Sequence, residues 1–173
     1  MSEPDVFQAL SIAVLTVSDS RTVANDTSGD LIQERLQEAG HRLSTRRIIR
    51  DDVLLVREQL TAWVRDPAVD IVIATGGTGL TRRDITPEAA APLITKPIPG
   101  FGELFRFLSY EEIGASTIQS RAEAAIAEGT VLFLLPGSPN ACRLALEKII
   151  LPQLDRRTRP CNITQLLPRI RHE

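Results

Sequence analysis

Residues 71–75, Ile-Val-Ile-Ala-Thr, run without a break into Gly76-Gly77-Thr78-Gly79. Five apolar or β-branched residues with no polar alternation describe a strand buried on both faces, as in parallel sheets covered by helices. Residues 12–17 and 131–135 have the same character, and 42–49 read as a weaker strand. Helical spacing separates these runs. It appears over 28–39, closed by Gly40, then in a helix that opens at Val53 and carries Val56, Leu60, Trp63 and Val64, and again over 140–154. The alternation predicts an α/β fold, a three-layer α/β/α domain with a mostly parallel central sheet and right-handed crossovers.

The stretch from Thr86 to Glu128 is too long for one crossover helix. Pro87 sits at a first helical position with Thr86 as cap, and Pro97, Pro99 and Gly100 end that helix. A second helix is expected over 101–112, with Phe101, Phe105 and Phe107, and a third over 117–127. No structure is assigned after Pro160. The 173 residues suit a single domain, with a core over about 12–155 and a tail over 156–173.

In an open parallel sheet, ligands bind beyond the carboxyl ends of the strands. The segments following the strands are all polar or glycine-rich: Ser18-Asp19-Ser20-Arg21 and Asp26-Thr27-Ser28-Gly29, Arg50-Asp51-Asp52, Gly76 to Gly79 with Arg82-Arg83-Asp84, and Pro136-Gly137-Ser138-Pro139. Glycines let a backbone approach a phosphate closely and offer N–H donors, and the Thr78 hydroxyl adds another. No Gly-Lys-Ser/Thr follows, so this is not a Walker loop, and the dinucleotide fingerprint spacing is missing. The alternative is a tight structural turn.

Asp84 would repel a phosphate unless a cation bridged them, and Mg²⁺ is the usual bridge. It could instead cap the loop or pair with Arg82 or Arg83. Asp51 follows another strand on the same edge and could converge on the same metal, or Asp51 and Asp52 could cap the helix at Val53. Arg21, Arg82, Arg83 and Arg121 are candidate phosphate clamps. His41 and His172 are isolated, which argues against a histidine metal site and leaves Ser20, Ser120 and Ser138 without a base. Cys142 and Cys161 lack metal-ligand spacing and read as packing thiols in a reducing compartment, the cytoplasm. A net charge of −2 gives no electrostatic case for nucleic acid or a membrane surface. No apolar run approaches the roughly 20 residues of a membrane span. The acidic first five residues lack the basic start of a signal peptide. The residues alone therefore point to a Mg²⁺-assisted phosphoryl or nucleotidyl transferase, or to a plain anion-binding module.

The ordered set of motifs adds a resemblance. Val17-Ser-Asp-Ser-Arg21, Asp26-Thr-Ser-Gly29, Thr75-Gly-Gly-Thr-Gly79, Asp84-Ile-Thr-Pro-Glu88, Pro99-Gly-Phe-Gly-Glu103, Ser120-Arg121 and Leu135-Pro-Gly-Ser-Pro139 together resemble the MoaB/MogA family of molybdenum cofactor biosynthesis. The segments 101–114 and 157–162 are similar to the MoaB branch. The resemblance implies binding of molybdopterin and, in active members, its adenylylation with MgATP and release of pyrophosphate. It implies that Asp84 and Asp51 (or Asp52, one register away) are catalytic and hold Mg²⁺. It further implies substrate or nucleotide binding by Ser18, Asp19, Ser28, Gly29, Thr75, Gly76, Gly77, Thr78, Gly79, Pro99, Gly100, Glu103, Ser120, Arg121, Pro136, Gly137 and Ser138. Some MoaB proteins depart from the aspartate pattern, so a non-catalytic molybdopterin-binding protein is the rival. Domains of this family also occur in multifunctional scaffolds. The resemblance also implies a homo-oligomer, a trimer or hexamer, to which the aromatic segment 101–110 could contribute.

Overall fold

The computed structural model describes residues 6–172. The first five residues, read above for a signal peptide, lie outside that range. Among the described residues, six strands form one sheet in the order β2-β1-β3-β6-β5-β4. They are β1 (Ser11–Val17), β2 (Arg42–Ile49), β3 (Ile71–Thr75), β4 (Ile94–Pro97), β5 (Glu123–Ala127) and β6 (Thr130–Leu135). β2, β1, β3 and β6 run parallel, whereas β5 lies antiparallel between β6 and β4. The mostly parallel α/β architecture is thus the one expected.

Alternate residues of the central strands feed two separate cores. Ile12, Val14, Ile71, Ile73, Val131 and Phe133 point to one face. There they meet α1 (Thr27–Glu38) through Ile32 and Leu36, α4 (Pro99–Ile113) through Phe101 and Phe105, and α5 (Pro139–Ala145) through Cys142 and Ala145. Ala13, Leu15, Val72, Ala74, Leu132 and Leu134 point to the other face. They meet α2 (Val53–Val64) through Val56, Leu60 and Trp63, and the short α3 (Thr86–Ala90) through Ala89 and Ala90. Burial of each large side chain contributes about 1.5–3 kcal/mol, which explains why these strands show no polar alternation.

Several local expectations change. The segment expected to be a helix over 117–127 is a 3₁₀ turn over Gly114–Gln119 followed by β5. Glu128 and Gly129, with φ of 48° and 90°, form a two-residue turn of left-handed backbone that folds β5 back onto β6. Thr86 is not a cap: its hydroxyl donates to the Gly76 carbonyl at 2.7 Å. The helix it begins is five residues long and gives way to β4 rather than reaching Pro97 as a helix. The helix after β6 continues from α5 through a π-helical turn at Leu146–Ile150 into α6 (Leu151–Leu154).

The tail is also structured. Asn162 accepts from the Gln165 amide and opens α7 (Ile163–His172). α7 buries Leu167 and anchors Arg171 on the Val69 carbonyl and the Asp70 carboxylate. Cys142 is fully buried, but Cys161 is exposed and is not a packing thiol. Phe107 is exposed as well, unlike Phe101 and Phe105. No helix among the described residues is long and apolar enough to cross a membrane.

Candidate functional site

The sheet reverses its strand order at β1. The chain leaves β1 for β2 on one side, then crosses back to β3 on the other. Such a switch point opens a crevice at the carboxyl edge, where open α/β sheets take their ligands. A cavity of about 480 Å³ lies there. Thr16 and Thr75, paired in register on adjacent strands, form part of its floor.

The glycine loop forms one wall. Gly76 has φ +95°, and a Cβ there would stand 2.3 Å from the Val17 carbonyl, so only glycine lets β3 turn this close to β1. The loop is anchored by its carbonyls. Gly76 O and Gly77 O accept from the Thr86 hydroxyl and amide, at 2.7 and 2.9 Å. Thr78 O and Gly79 O accept from the Arg121 amide and Nε, at 3.2 and 2.8 Å. Two of its amides are committed as well: Gly76 N–H donates to the Leu135 carbonyl at 3.0 Å and Gly79 N–H to the Asp84 carboxylate, so the amides this anchoring does not use are those of Gly77 and Thr78.

Two carboxylates flank the loop. A Cβ on Gly77 would lie 3.5 Å from Asp51 Oδ1, and one on Gly79 would lie 2.8 Å from Asp84 Oδ2. Both aspartates line the cavity. Asp52 does not: its Oδ1 accepts from the Leu54 and Leu55 amides at 2.9 and 3.1 Å and caps α2. The structure divides the two, with Asp51 at the cavity and Asp52 at the helix.

The two acids have different electrostatics. Burial pushes the Asp51 carboxyl above the ordinary carboxylate value, and the neighbouring charge of Asp19 adds to it. Burial acts in the same direction on Asp84, but hydrogen bonds from Thr81 and Gly79 outweigh it and hold that carboxyl below the ordinary value. The Thr81 amide and hydroxyl donate to Asp84 Oδ2 at 2.8 and 2.7 Å. Asp84 therefore also braces the loop.

The other expected site residues divide between the cavity and its supports. Ser18, Ser28, Thr78, Ser120, Pro136 and Gly137 line the cavity with the loop glycines. Asp19 stands beside it, bonded to Asp51 and ion-paired with Arg83. Ser138 caps α5 by accepting from the Ala141 amide. Arg121 is committed to Glu88 and to the carbonyls of Gly79 and Asp84, so it supports the loop from behind. Gly29 is buried in the first turn of α1, with its amide on Asp26. Pro99, Gly100 and Glu103 are exposed at the start of α4 and do not line the cavity. Of the candidate clamps, Arg21 and Arg83 reach the cavity. Thr16, Asp26 and Gln119 line it without having been singled out as ligand-binding. The available signal for Thr16 was a hydroxyl near the end of an otherwise apolar strand, as at Thr75.

Residues 13–156 match the family model described as a probable molybdopterin binding domain. The chain is 52% identical over 151 residues to the molybdenum cofactor biosynthesis protein B of Escherichia coli K12, covering 87% of this chain and 89% of that one. A crystal structure of a molybdenum cofactor biosynthesis protein B superposes with a TM-score of 0.86 at 38% identity, covering 96% of this chain and 98% of that one. The tungsten cofactor synthesizing protein MoaB from Pyrococcus furiosus superposes with a TM-score of 0.79 at 36% identity, covering 95% and 99%. With the family model spanning most of the fold and the motif loops gathered at one cavity, the chain belongs to the MoaB/MogA family of molybdenum cofactor biosynthesis proteins.

Proposed function

We propose that the chain binds molybdopterin in this cavity and adenylylates it with MgATP, releasing pyrophosphate. The observation that carries the reading is the convergence of Asp51 and Asp84 on one glycine loop in one cavity. A plain anion-binding module has no need of two carboxylates beside its phosphate loop, since each opposes the ligand's charge.

The donor set fits a magnesium ion that arrives with ATP. Among the described residues, no group of three or more His, Cys, Asp or Glu could hold a metal by itself. Mg²⁺ is ordinarily held by one or two carboxylates together with substrate phosphates, and Asp51 and Asp84 supply the carboxylates. When bound, the ion would neutralise phosphate charge. The protein's share is positioning. The Gly77 and Thr78 amides and the Thr78 hydroxyl hold phosphate oxygens, Arg21 and Arg83 offer further cationic donors, and Ser18 and Ser120 offer hydroxyls from the cavity lining. A terminal phosphate oxygen of molybdopterin bonds to the α-phosphorus of ATP, the α–β bridging P–O bond breaks, and pyrophosphate departs. No covalent enzyme intermediate is required.

The test is a single assay: purified chain, molybdopterin and MgATP, with chromatography for adenylylated molybdopterin. The reading expects product, with turnover lowered at least about a hundredfold by Asp51→Asn while molybdopterin binding is kept. Binding without any AMP transfer would leave the non-catalytic protein as the answer. One observation favours that second reading: Asp84 Oδ2 is already occupied by Thr81, which suits a loop brace.

Self-association is part of the same proposal. Leu104, Phe107, Tyr110 and Ile113 are exposed on α4, an unusual apolar load for a solvent face. Sedimentation should show a trimer or hexamer, and a monomer at micromolar concentration would contradict it. Cytoplasmic residence belongs to the proposal too, and two free thiols agree with a reducing compartment.

A further inference from the structure

Asp26 lines the cavity although its side chain is 1% exposed. A carboxylate in the wall of a phosphate site has the wrong sign for its ligand. Its charge is met from the edge strand. Arg46 Nη2, reaching in from β2, donates to Asp26 Oδ2 at 2.7 Å and to the Asp26 carbonyl at 3.2 Å. Its Nη1 donates to Asp30 Oδ1 at 2.6 Å and to Gln33 at 3.3 Å. The Thr16 hydroxyl donates to Asp26 Oδ2 at 2.7 Å and the Gly29 amide to Oδ1 at 3.0 Å. Burial works to raise the Asp26 carboxyl, but these bonds outweigh it and hold it below the ordinary value, so it stays ionised.

The neighbouring sequence accommodates this pair at a cost. A Cβ on Gly29 would stand 2.1 Å from Asp26 Oδ2 and 2.6 Å from Arg46 Nη2. A helix glycine costs about 0.5–1 kcal/mol relative to alanine. A neutral serine or asparagine would cap α1 equally well, and a buried ion pair is weak evidence of stabilisation for its own sake. The first turn it fixes carries Ser28, whose hydroxyl donates to the Gly137 carbonyl at 2.7 Å and ties α1 to the cavity's far wall.

We propose that Arg46 sets the cavity's affinity for phosphate by cancelling the charge of Asp26, an electrostatic and positioning role exerted without touching the ligand. The inference rests on the reading of this cavity as a phosphate site. Asp26 is faced by Arg46 from β2, by Asp30 from its own helix and by Cys142 from α5; Arg21, Asp51, Arg83 and Asp84 share its cavity.

The test uses the full chain and sulfate, whose charge is constant between about pH 5 and 8, titrated by calorimetry at low ionic strength. At pH 8, Arg46→Met should bind sulfate at least about tenfold more weakly than the unmodified chain, the effect of one uncompensated charge. The difference should shrink as pH falls and Asp26 takes up a proton. The pair Asp26→Asn/Arg46→Met should return affinity to within about threefold, without that added pH dependence. Asp84, held below the ordinary value, stays ionised over this range, and any protonation of Asp51 is common to every variant, so the comparison isolates Asp26. Asp26→Asn alone removes the negative charge in the cavity wall and leaves Arg46 paired only with the exposed Asp30, so sulfate should bind more tightly, whereas a merely structural role predicts loss. That variant carries the test should Arg46→Met fail to fold. Unchanged binding by Arg46→Met, or weaker binding by Asp26→Asn, overturns the inference while leaving the phosphate site intact. An unmodified chain that binds no sulfate overturns the phosphate reading, and this inference with it.

Discussion

The backbone amides of Asp19 and Asp51 each donate to the other residue's carboxylate, at 2.9 Å to Asp51 Oδ2 and 3.2 Å to Asp19 Oδ1. The reciprocal pair ties the loop after β1 to the loop after β2 and fixes Asp51 at the cavity. It also places two negative charges side by side, relieved on the Asp19 side by Arg83.

Asp51→Asn should therefore cost no stability at neutral pH. The folded-state pKa of Asp51 is raised, so the folded state holds its proton to higher pH than the unfolded chain does. Ionised Asp51 opposes folding at pH 7, and its contribution improves as pH falls through the raised value. The asparagine retains an oxygen for the Asp19 amide. Urea unfolding at pH 7 should show a midpoint equal to the unmodified chain or higher, with a gain below about 1 kcal/mol because the site is partly solvated. A fall of several kcal/mol would mean that Asp51 is a structural residue.

Asp52→Ala should behave in the opposite way. It removes the cap on the first turn of α2, at a cost of about 1 kcal/mol in stability. Adenylylation, measured at a temperature where both proteins are folded, should stay within about threefold. A loss comparable to that of Asp51→Asn would return Asp52 to the site.

Thr86→Val keeps the shape of a fully buried side chain and removes the hydroxyl that holds Gly76 O. The carbonyl it leaves behind has no water to turn to, so the expected loss is about 1–3 kcal/mol by denaturant midpoint. Molybdopterin binding should weaken with it, because the glycine loop is hung on Thr86. Unchanged stability would show that this bond does not hold the loop.

What could be read from the sequence follows from where the physics is local. Residues 71–75 announce a strand because every side chain there is buried, and residues 53–64 announce a helix because Val56, Leu60 and Trp63 recur at helical spacing. The helix expected over 117–127 follows from the strong helix propensity of Glu-Ala-Ala-Ile-Ala, which pairing with β6 overrides. The Glu128–Gly129 turn was the missed signal. The cavity loops were legible because all of them follow strands that end at one edge. The parts played by Arg46 and Asp26 were not, because an ion pair between residues 20 apart depends on the β1–β2 pairing that brings them together. Arg121 looked like a clamp, but its partners Gly79, Asp84 and Glu88 are set by the path of 3₁₀ turn and β5 that the sequence concealed.

The two thiols should separate cleanly under a disulfide reagent. Cys161 is exposed and should react within seconds to minutes at pH 8. Cys142 is fully buried against Thr75 and the Pro136 carbonyl, and burial pushes its pKa up to about 11. It should react only on unfolding. The expected result is one fast thiol per native chain and two in denaturant, and two fast thiols in the native protein would contradict the packing beneath the cavity floor.

His41 gives the chain a pH dependence that the carboxylates do not. The Leu10 amide donates to its Nδ1 at 3.2 Å, so Nδ1 is the acceptor and the neutral ring carries its proton on Nε2. Nε2 is buried without a hydrogen-bond partner. Burial lowers the pKa from its ordinary 6.5, against the pull of Asp155 and Asp70 in the other direction. Protonation at Nδ1 would set one N–H against another and break the tie that holds residue 10 at the start of β1. Because the folded pKa lies below the unfolded one, the unfolded chain takes up the proton first. The stability is complete above about pH 6.5 and is lost as pH falls from there toward the lowered value, at no more than about 1.4 kcal/mol per pH unit. The Asp26 and Asp84 contributions, with lowered carboxyl values, persist until pH drops below their unfolded value of 3.8, while Asp51 and Glu123, with raised values, gain as pH falls; these trends are common to the unmodified chain and a His41 variant, so the difference between the two isolates His41. His41→Asn keeps an acceptor for Leu10 and removes the titration. Between about pH 7.5 and 5, the urea midpoint of the unmodified chain should decline relative to that of the variant. An undiminished slope in His41→Asn would assign the acid sensitivity to another group and remove His41 as its source.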